Sequence, residues 1–384
     1  MQPRASRRGG AAAARPAAPR TRRSPPRPLP LLALLAAASL FAAAATPRAA
    51  AAAAFNQPSF AWRAVRSALR TQVPPHWARG PLTLVTAYFD FGTRSKHSTS
   101  QYDTWLQNFL PTASAPMVCF TTEPSLAYLR ELRGAHPTVY VLYGSIWDVP
   151  PAGYYRDAFE AQRELDPERQ MHFAELYAMW SSKVWFTAAA AAHNPYDSEY
   201  FVWIDAGVFR SHSFPDWPSL ERVRAALGAC GRDDCVLASD VSGSGPGSKP
   251  GDGWGDRWAL DLARHELFPG RDRESTLKDS LQGAVYAGRA AGMLWWAHEY
   301  YALMHDLLAS GLYASKEQNL FDILMVRNYW RVVMLPARRL QPKCFTVSYF
   351  AFQGALSQGG CALMLERYEG AVVLNRTQLA LPAS

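Results

Sequence analysis

A run of strand-favouring residues, Tyr200-Phe201-Val202-Trp203-Ile204, leads straight into Asp205, and Ala206, Gly207 and Arg210 follow. A carboxylate at the end of a buried strand is costly to desolvate unless something pairs with it. At the carboxyl edge of an open parallel sheet, where ligands bind, such a group is a good ligand for a hard divalent cation, Mn²⁺ or Mg²⁺. The cation would neutralise a diphosphate leaving group as its bond to a sugar breaks. The ordinary alternative is a turn former, since Asp-Ala-Gly is also good turn chemistry.

Other residues of fitting type fall at the ends of apolar runs. Asp90, Arg94, Lys96 and His97 follow the first such run, and Asp240 ends another. Arg94, Lys96 and Arg210 suit a diphosphate, arginine by bidentate hydrogen bonds and lysine as a point charge. Arg94 and Lys96 equally suit a solvated loop. Lys183 lies about 60° around its helix from Trp180, so its head could reach the edge where Asp205 sits, or merely snorkel. Glu317, beside Lys316 at a helix start, could be a base, a ligand for a donor hydroxyl or a helix-dipole partner. His298-Glu299 lacks HExxH spacing, and His172 and His265 form no pattern. No GxSxG, Walker or GxGxxG motif occurs, which weighs against a serine hydrolase, a P-loop kinase and a dinucleotide oxidoreductase.

The elements that must position these residues alternate. Residues 82–89 form a near-continuous apolar run, as in a strand covered on both faces. Residues 98–110 have helical spacing behind a serine cap, 116–121 suit a strand, 123–134 a helix ending at glycine, and 138–144 a third strand. Residues 172–194 make the strongest helix, with Phe173, Leu176, Tyr177, Trp180 and Val184 on one apolar face. Strands follow at 200–204, 235–240 and 281–288, helices at 290–311 and 316–329, and an edge strand at 331–335. Residues 241–256 are rich in glycine and proline and suit a mobile loop. The expected fold is a single α/β domain over 80–384, with a mainly parallel sheet flanked by helices.

The net charge of +8 is not a property of that domain. Residues 1–89 hold thirteen arginines and no lysine or acid, leaving 27 basic and 32 acidic residues in the rest. A nucleic-acid footprint would place the basic residues on the folded body, so no nucleic-acid partner is expected. Thirteen tryptophans and seventeen tyrosines suit either core packing or a surface that stacks sugars or bases. Residues 1–28 are a basic, disordered leader, and 29–46 are eighteen uncharged residues, marginally enough to cross a bilayer. With arginines before this stretch, the N-terminus should face the cytoplasm and the body the lumen, as in a type II protein of the Golgi or endoplasmic reticulum. A cleaved secretory signal and an organellar transit peptide are the rival readings. Residues 47–79 form a stem. Cys230 and Cys235 could close a small disulfide loop in an oxidising lumen, whereas Cys119 suits a buried thiol. Asn375-Arg376-Thr377 is a glycosylation sequon, usable only in a lumen.

Five stretches, "TLVTAYFDFGTRSKH", "YDTWLQNFLPTASAPMVCFTTE", "WSSKVWFTAAAAAHNPYDSEYFVWIDAGVFR", "LQGAVYAGRAAGMLWWAHEYY" and "SKEQNLFDILMVRN", together resemble the HtrL/YibB family over about residues 82–330. That family is taken to be glycosyltransferase-like, so the resemblance implies a GT-A nucleotide-sugar fold. GT-A enzymes end the fourth strand on a D-x-D motif that holds Mn²⁺ and the sugar diphosphate. The matching stretch here is Asp205-Ala206-Gly207, without the second acid. Either Asp205 shares a cation with a partner from elsewhere, or the site uses Lys183 and Arg210 instead. By the same similarity Glu317 or Gln318 touches donor or acceptor, Gln282 and Gly283 belong to the acceptor-side strand, and Tyr88 and Asp90 mark where the nucleotide base lies. The expected activity is sugar transfer from a nucleotide-sugar to a glycan or glycoprotein. The alternative is an inert luminal binding protein that kept the fold. In intact microsomes a C-terminal tag should resist protease and be lost only after detergent; digestion without detergent would rule out luminal placement.

Overall fold

The computed structural model describes residues 80–95, 97–166, 168–211, 213–241, 281–336, 350, 352–357, 363 and 365. The apolar segment 29–46, the stem, the glycine-rich stretch from 242, Lys96, His265, Cys344, Cys361 and the sequon lie outside them. Among the described residues no helix is long and apolar enough to cross a membrane.

The first apolar run is a strand, β1 (Leu82–Tyr88), buried at every position. It is followed by α1 (Thr99–Phe109), β2 (Met117–Thr122), α2 (Glu123–Arg133) and β3 (Thr138–Tyr143). Ser98 caps α1 in a capping box with Gln101, and α2 stops at Gly134, whose φ of 56° suits a residue without a side chain. Two short helices, α3 (Pro150–Tyr154) and α4 (Arg156–Gln162), precede α5 (Ala174–His193) and β4 (Tyr200–Ile204). Then come α6 (Leu220–Gly228), β5 (Val236–Asp240), β6 (Leu281–Arg289), α7 (Ala290–Ala309), α8 (Glu317–Arg327), β7 (Val332–Pro336) and α9 (Phe352–Ala355).

The strands form one seven-stranded sheet in the order β3-β2-β1-β4-β6-β5-β7. All run parallel except β6, which lies antiparallel between β4 and β5. The chain builds outward from β1 to β3 and then returns to place β4 on the other side of β1. This reversal is a topological switch point, and it opens a crevice beyond the carboxyl ends of β1 and β4.

Four helices were not legible beforehand. α3 begins Pro150-Pro151, which reads as a breaker, yet proline fits the first helical turn where no N–H bond is needed. α4, α6 and α9 are too short for a clear period. The expected one-sided apolar face of α5 is also revised. The helix packs against β1 and β4 on one side and α3, α4 and α7 on the other, so it is buried almost all round from Tyr177 to Ala191. Alanines 188–191 allow that close approach. Leu176, Trp180 and Lys183, spaced i, i+4 and i+7, face the crevice instead. Cys230 and Cys235 form a disulfide between α6 and β5. Cys119 is a buried thiol that burial pushes up to about 12.

The turn between α1 and β2 hangs on a buried arginine at the end of α2. Arg133 donates from Nη1 to the carbonyls of Leu110, at 2.8 Å, and Ala113. Nη2 reaches Ala115 O at 2.8 Å and Nε reaches Thr138 Oγ1 at 2.9 Å. Burial lowers the guanidinium to about 10, still charged at neutral pH. It thus fixes the end of the helix that supplies Tyr102 and Trp105 to the crevice. Arg133→Met strands three carbonyls and should lower unfolding stability by at least about 3 kcal/mol in urea titrations. Arg133→Lys should rescue little, because an ammonium lacks the planar fork. A loss below about 1 kcal/mol would show that water replaces the arginine.

Candidate functional site

The crevice is a cleft of about 270 Å³. Three charged groups from three elements meet at its floor. Lys183 Nζ donates to Asp205 Oδ2 at 2.9 Å, to Glu317 Oε1 at 2.7 Å and to Gly283 O at 3.4 Å. Trp203 Nε1 donates to the other oxygen of Asp205 at 2.8 Å. The side chains of Lys183 and Glu317 are each 4% exposed, whereas that of Asp205 is 28% exposed and looks into the cleft.

Local structure explains the meeting. Asp205 is the first residue past β4, and its N–H still bonds Ala284 O of β6 at 2.9 Å. Glu317 occupies the first turn of α8, where the exposed N–H groups favour a negative charge. It reaches the floor only because residue 283 is glycine: a Cβ there would lie 2.7 Å from both Cγ and Cδ of Glu317. Burial works against the charge on Lys183, but Asp205 and Glu317 outweigh it and hold the ammonium above the ordinary lysine range. Burial pushes the Asp205 carboxyl up, opposed by Lys183 and the Trp203 hydrogen bond.

Aromatic side chains wall the cleft. Tyr102 and Trp105 stand on one side, and Gly207 lets them close on the strand exit, since a Cβ there would lie 3.0 Å from each. The Arg210 guanidinium lies 4.5 Å from the Trp105 ring centre and 5.0 Å from that of Phe350. His97 meets Trp105 edge-on at 4.8 Å. Phe91, Leu176, Met179 and Trp180 also line the cleft.

Of the residues singled out in the sequence, Tyr88, Asp90, Lys183, Asp205, Arg210, Gly283, Glu317 and Gln318 line this cleft. Asp90 also forms a turn, accepting from Gly92 N at 2.8 Å. Gln318 Nε2 donates to Leu281 O at 3.3 Å. Arg94 is not among the lining residues; it pairs with Glu175 at 2.7 Å and lies over Phe173. Gln282 points to the opposite sheet face from Gly283, as adjacent strand residues must, and donates to Ser239 Oγ at 2.6 Å. Asp240 is wholly buried and does not line the cleft. Lys183 is a buried centre of the floor rather than a snorkelling stem.

Several residues went unread. Trp203 stands two before Asp205, on the same strand face, and that spacing was the available signal. Tyr102 and Trp105 share a helix face at i and i+3. A second network, of Asp166, Glu168, His172 and Tyr177, lies within one short stretch but follows no recognised motif. Asp166 accepts from His172 Nδ1 at 2.8 Å, Tyr177 OH at 2.5 Å and Glu168 N at 2.7 Å. Burial would raise the Asp166 carboxyl, but these bonds prevail and hold it at about 2. Nearby, Gln162 Nε2 donates to Leu312 O at 2.8 Å and its Oε1 accepts from Ala314 N at 2.6 Å. The segment entering α8, and so Glu317, is thereby seated on the body.

A resident divalent cation does not fit the described residues. Among them no three His, Cys, Asp or Glu side chains converge on one point. The Lys183 ammonium fills the place between the two carboxylates that a cation would share. Asp205, expected to hold Mn²⁺ or Mg²⁺, has its Oδ2 on the Lys183 ammonium. No family model matches the chain, and no curated protein matches it.

Lys183→Met leaves two carboxylates facing each other without a counter-charge, at a cost of about 3–5 kcal/mol near pH 8. Asp205, which burial already pushes up, then loses the ammonium that opposes that shift and binds a proton more tightly folded than unfolded. Such a group adds stability at low pH and loses it as pH rises through the folded value. The deficit against the parent should therefore shrink between pH 8 and pH 5 in denaturant titrations. A deficit that ignores pH would mean Lys183 acts through packing alone.

Proposed function

We propose that the chain is a GT-A-type glycosyltransferase of the kind the HtrL/YibB resemblance implies, carrying a sugar from a nucleotide-sugar to a glycan or glycoprotein. It would work in the lumen of the secretory pathway, anchored by its N-terminal apolar segment. The observation that carries this reading is the convergence of Lys183, Asp205 and Glu317 at the switch point, on the floor of an aromatic-walled cleft. A nucleoside diphosphate would lie along the β1 exit, with Tyr88 and Asp90 near the nucleoside and Arg210 facing the diphosphate. The sugar would enter toward the floor. An acceptor hydroxyl attacks the anomeric carbon, the bond to the diphosphate oxygen breaks, and its electron pair leaves with the nucleotide. The hydroxyl proton passes to Glu317, whose Oε2 accepts no hydrogen bond from the described residues. Arg210, in place of a metal, offsets the charge on the leaving group.

One observation favours the inert-binder reading: Lys183 already engages both carboxylates. Donor hydrolysis and calorimetry on a panel of nucleotide-sugars, with Mn²⁺ and with EDTA, separate the two. Glu317→Gln should cut turnover at least about 100-fold with little change in donor affinity. Asp205→Asn should weaken donor binding at least about tenfold, roughly 1.4 kcal/mol. Binding without any turnover would establish the inert protein. Absence of binding to every donor would end the transferase reading.

A further inference from the structure

The geometry points to a donor whose sugar is an uncharged hexose: the floor of the cleft takes hydroxyls and rejects a carboxylate. This rests on the transferase reading above and names the class of sugar that its site would select.

The first argument is the count of donors. An ammonium has three hydrogens. Those of Lys183 go to Asp205 Oδ2, Glu317 Oε1 and Gly283 O. The one cation on the floor therefore has none left for a carboxylate on a ligand. The second is charge. With all three groups ionised the floor carries one net negative charge, and a proton taken up by Asp205 would only bring it to zero. In neither state does it attract an anion. The remaining charged lining groups are Asp90 and Arg210, with His97 beside them. Arg210 is exposed, donates from Nε to Gly207 O at 3.2 Å, and lies against Trp105 and Phe350. It serves the rim, where a diphosphate would lie, and not the floor.

The third argument is unmet acceptors. Glu317 Oε2 is buried and takes no hydrogen bond from the described residues, and Asp205 is the exposed member of the triad. A buried carboxylate oxygen without a donor is costly. Ring hydroxyls supply O–H donors, and a second carboxylate would bring only acceptors and like charge. Trp180 and Leu176 add the apolar surface that suits the C–H face of a hexose.

The test compares UDP-glucose with UDP-glucuronate, and GDP-mannose with GDP-mannuronate. Each pair differs only in a hydroxymethyl against a carboxylate at C6. Binding to the full-length protein is read by calorimetry. The neutral member of whichever pair binds should bind at least about tenfold more tightly, roughly 1.4 kcal/mol. In Glu317→Gln, which removes one negative charge and keeps the shape, the gap should narrow at least about threefold. Acidic and neutral donors binding within twofold in the parent would overturn the inference and leave the transferase reading standing. A gap unchanged in both Glu317→Gln and Asp205→Asn would place the discrimination elsewhere and overturn it too. If no donor in either pair binds, this inference is overturned, and the wider donor panel decides the transferase reading. Should a variant not fold, the comparison in the parent still decides.

Discussion

The ammonium of Lys183, held between Asp205 and Glu317, is the interaction on which the cleft depends. It joins α5, the end of β4 and the start of α8, and it touches β6 through Gly283 O. Burying three charged groups is expensive, and a tightly packed apolar trio could be as stable or more so. A fold gains little net stability from such a cluster. What the cluster does is fix relative placement: each carboxylate is intolerable without the ammonium, so the three elements cannot drift apart independently. That is a property suited to a site whose groups must hold their geometry.

The rest of the molecule is arranged around that meeting. β6 runs against the other strands, which brings its Leu281 end beside the carboxyl end of β4 and sets Gly283 under α8. The missing side chain at 283 is what admits Glu317. The approach to α8 is held from the far side by Gln162, whose amide binds Leu312 and Ala314, and by the Lys316–Glu168 pair at 3.5 Å. Asp166 keeps the turn before α5 in place through His172 and Tyr177. Lys183 and Glu317 are thus each positioned by buried polar contacts on their own side, before they meet. Arg133 does the same for α1 and its aromatic wall.

Much of this was legible in sequence where the signal is local. The strand at 200–204 ending on Asp205, the 60° offset of Lys183 from Trp180 and the helix start at Glu317 each rest on neighbouring residues, and the cleft gathers all three. What a short window cannot show is who sits opposite. Lys183 and Glu317 are 134 positions apart, and nothing local says that the lysine answers two carboxylates rather than a phosphate. The metal expectation rests on the same local view: a lone acid at a strand end looks like a cation ligand, and only the fold shows that an ammonium sits on it. Gln282 and Gly283 show a finer limit. One step along a strand exchanges the faces, so a motif that marks both residues marks a site for only one.

The same counter-ion divides the cleft. Its floor has an ammonium already spent on protein oxygens, while its rim has a guanidinium on the face of two aromatic rings. A guanidinium stays charged at any physiological pH, whatever its ring contacts. A ligand with one anionic end and one hydroxyl-rich end has only one favourable way in. The anion turns to Arg210, and the hydroxyls go down to Asp205 and Glu317. The two orientations differ by an attraction gained at the rim and a repulsion avoided at the floor. For the nucleotide-sugar proposed above, polarity of this kind would set the anomeric bond between them, with a carboxylate beneath and a cation above acting on opposite ends of the bond that breaks.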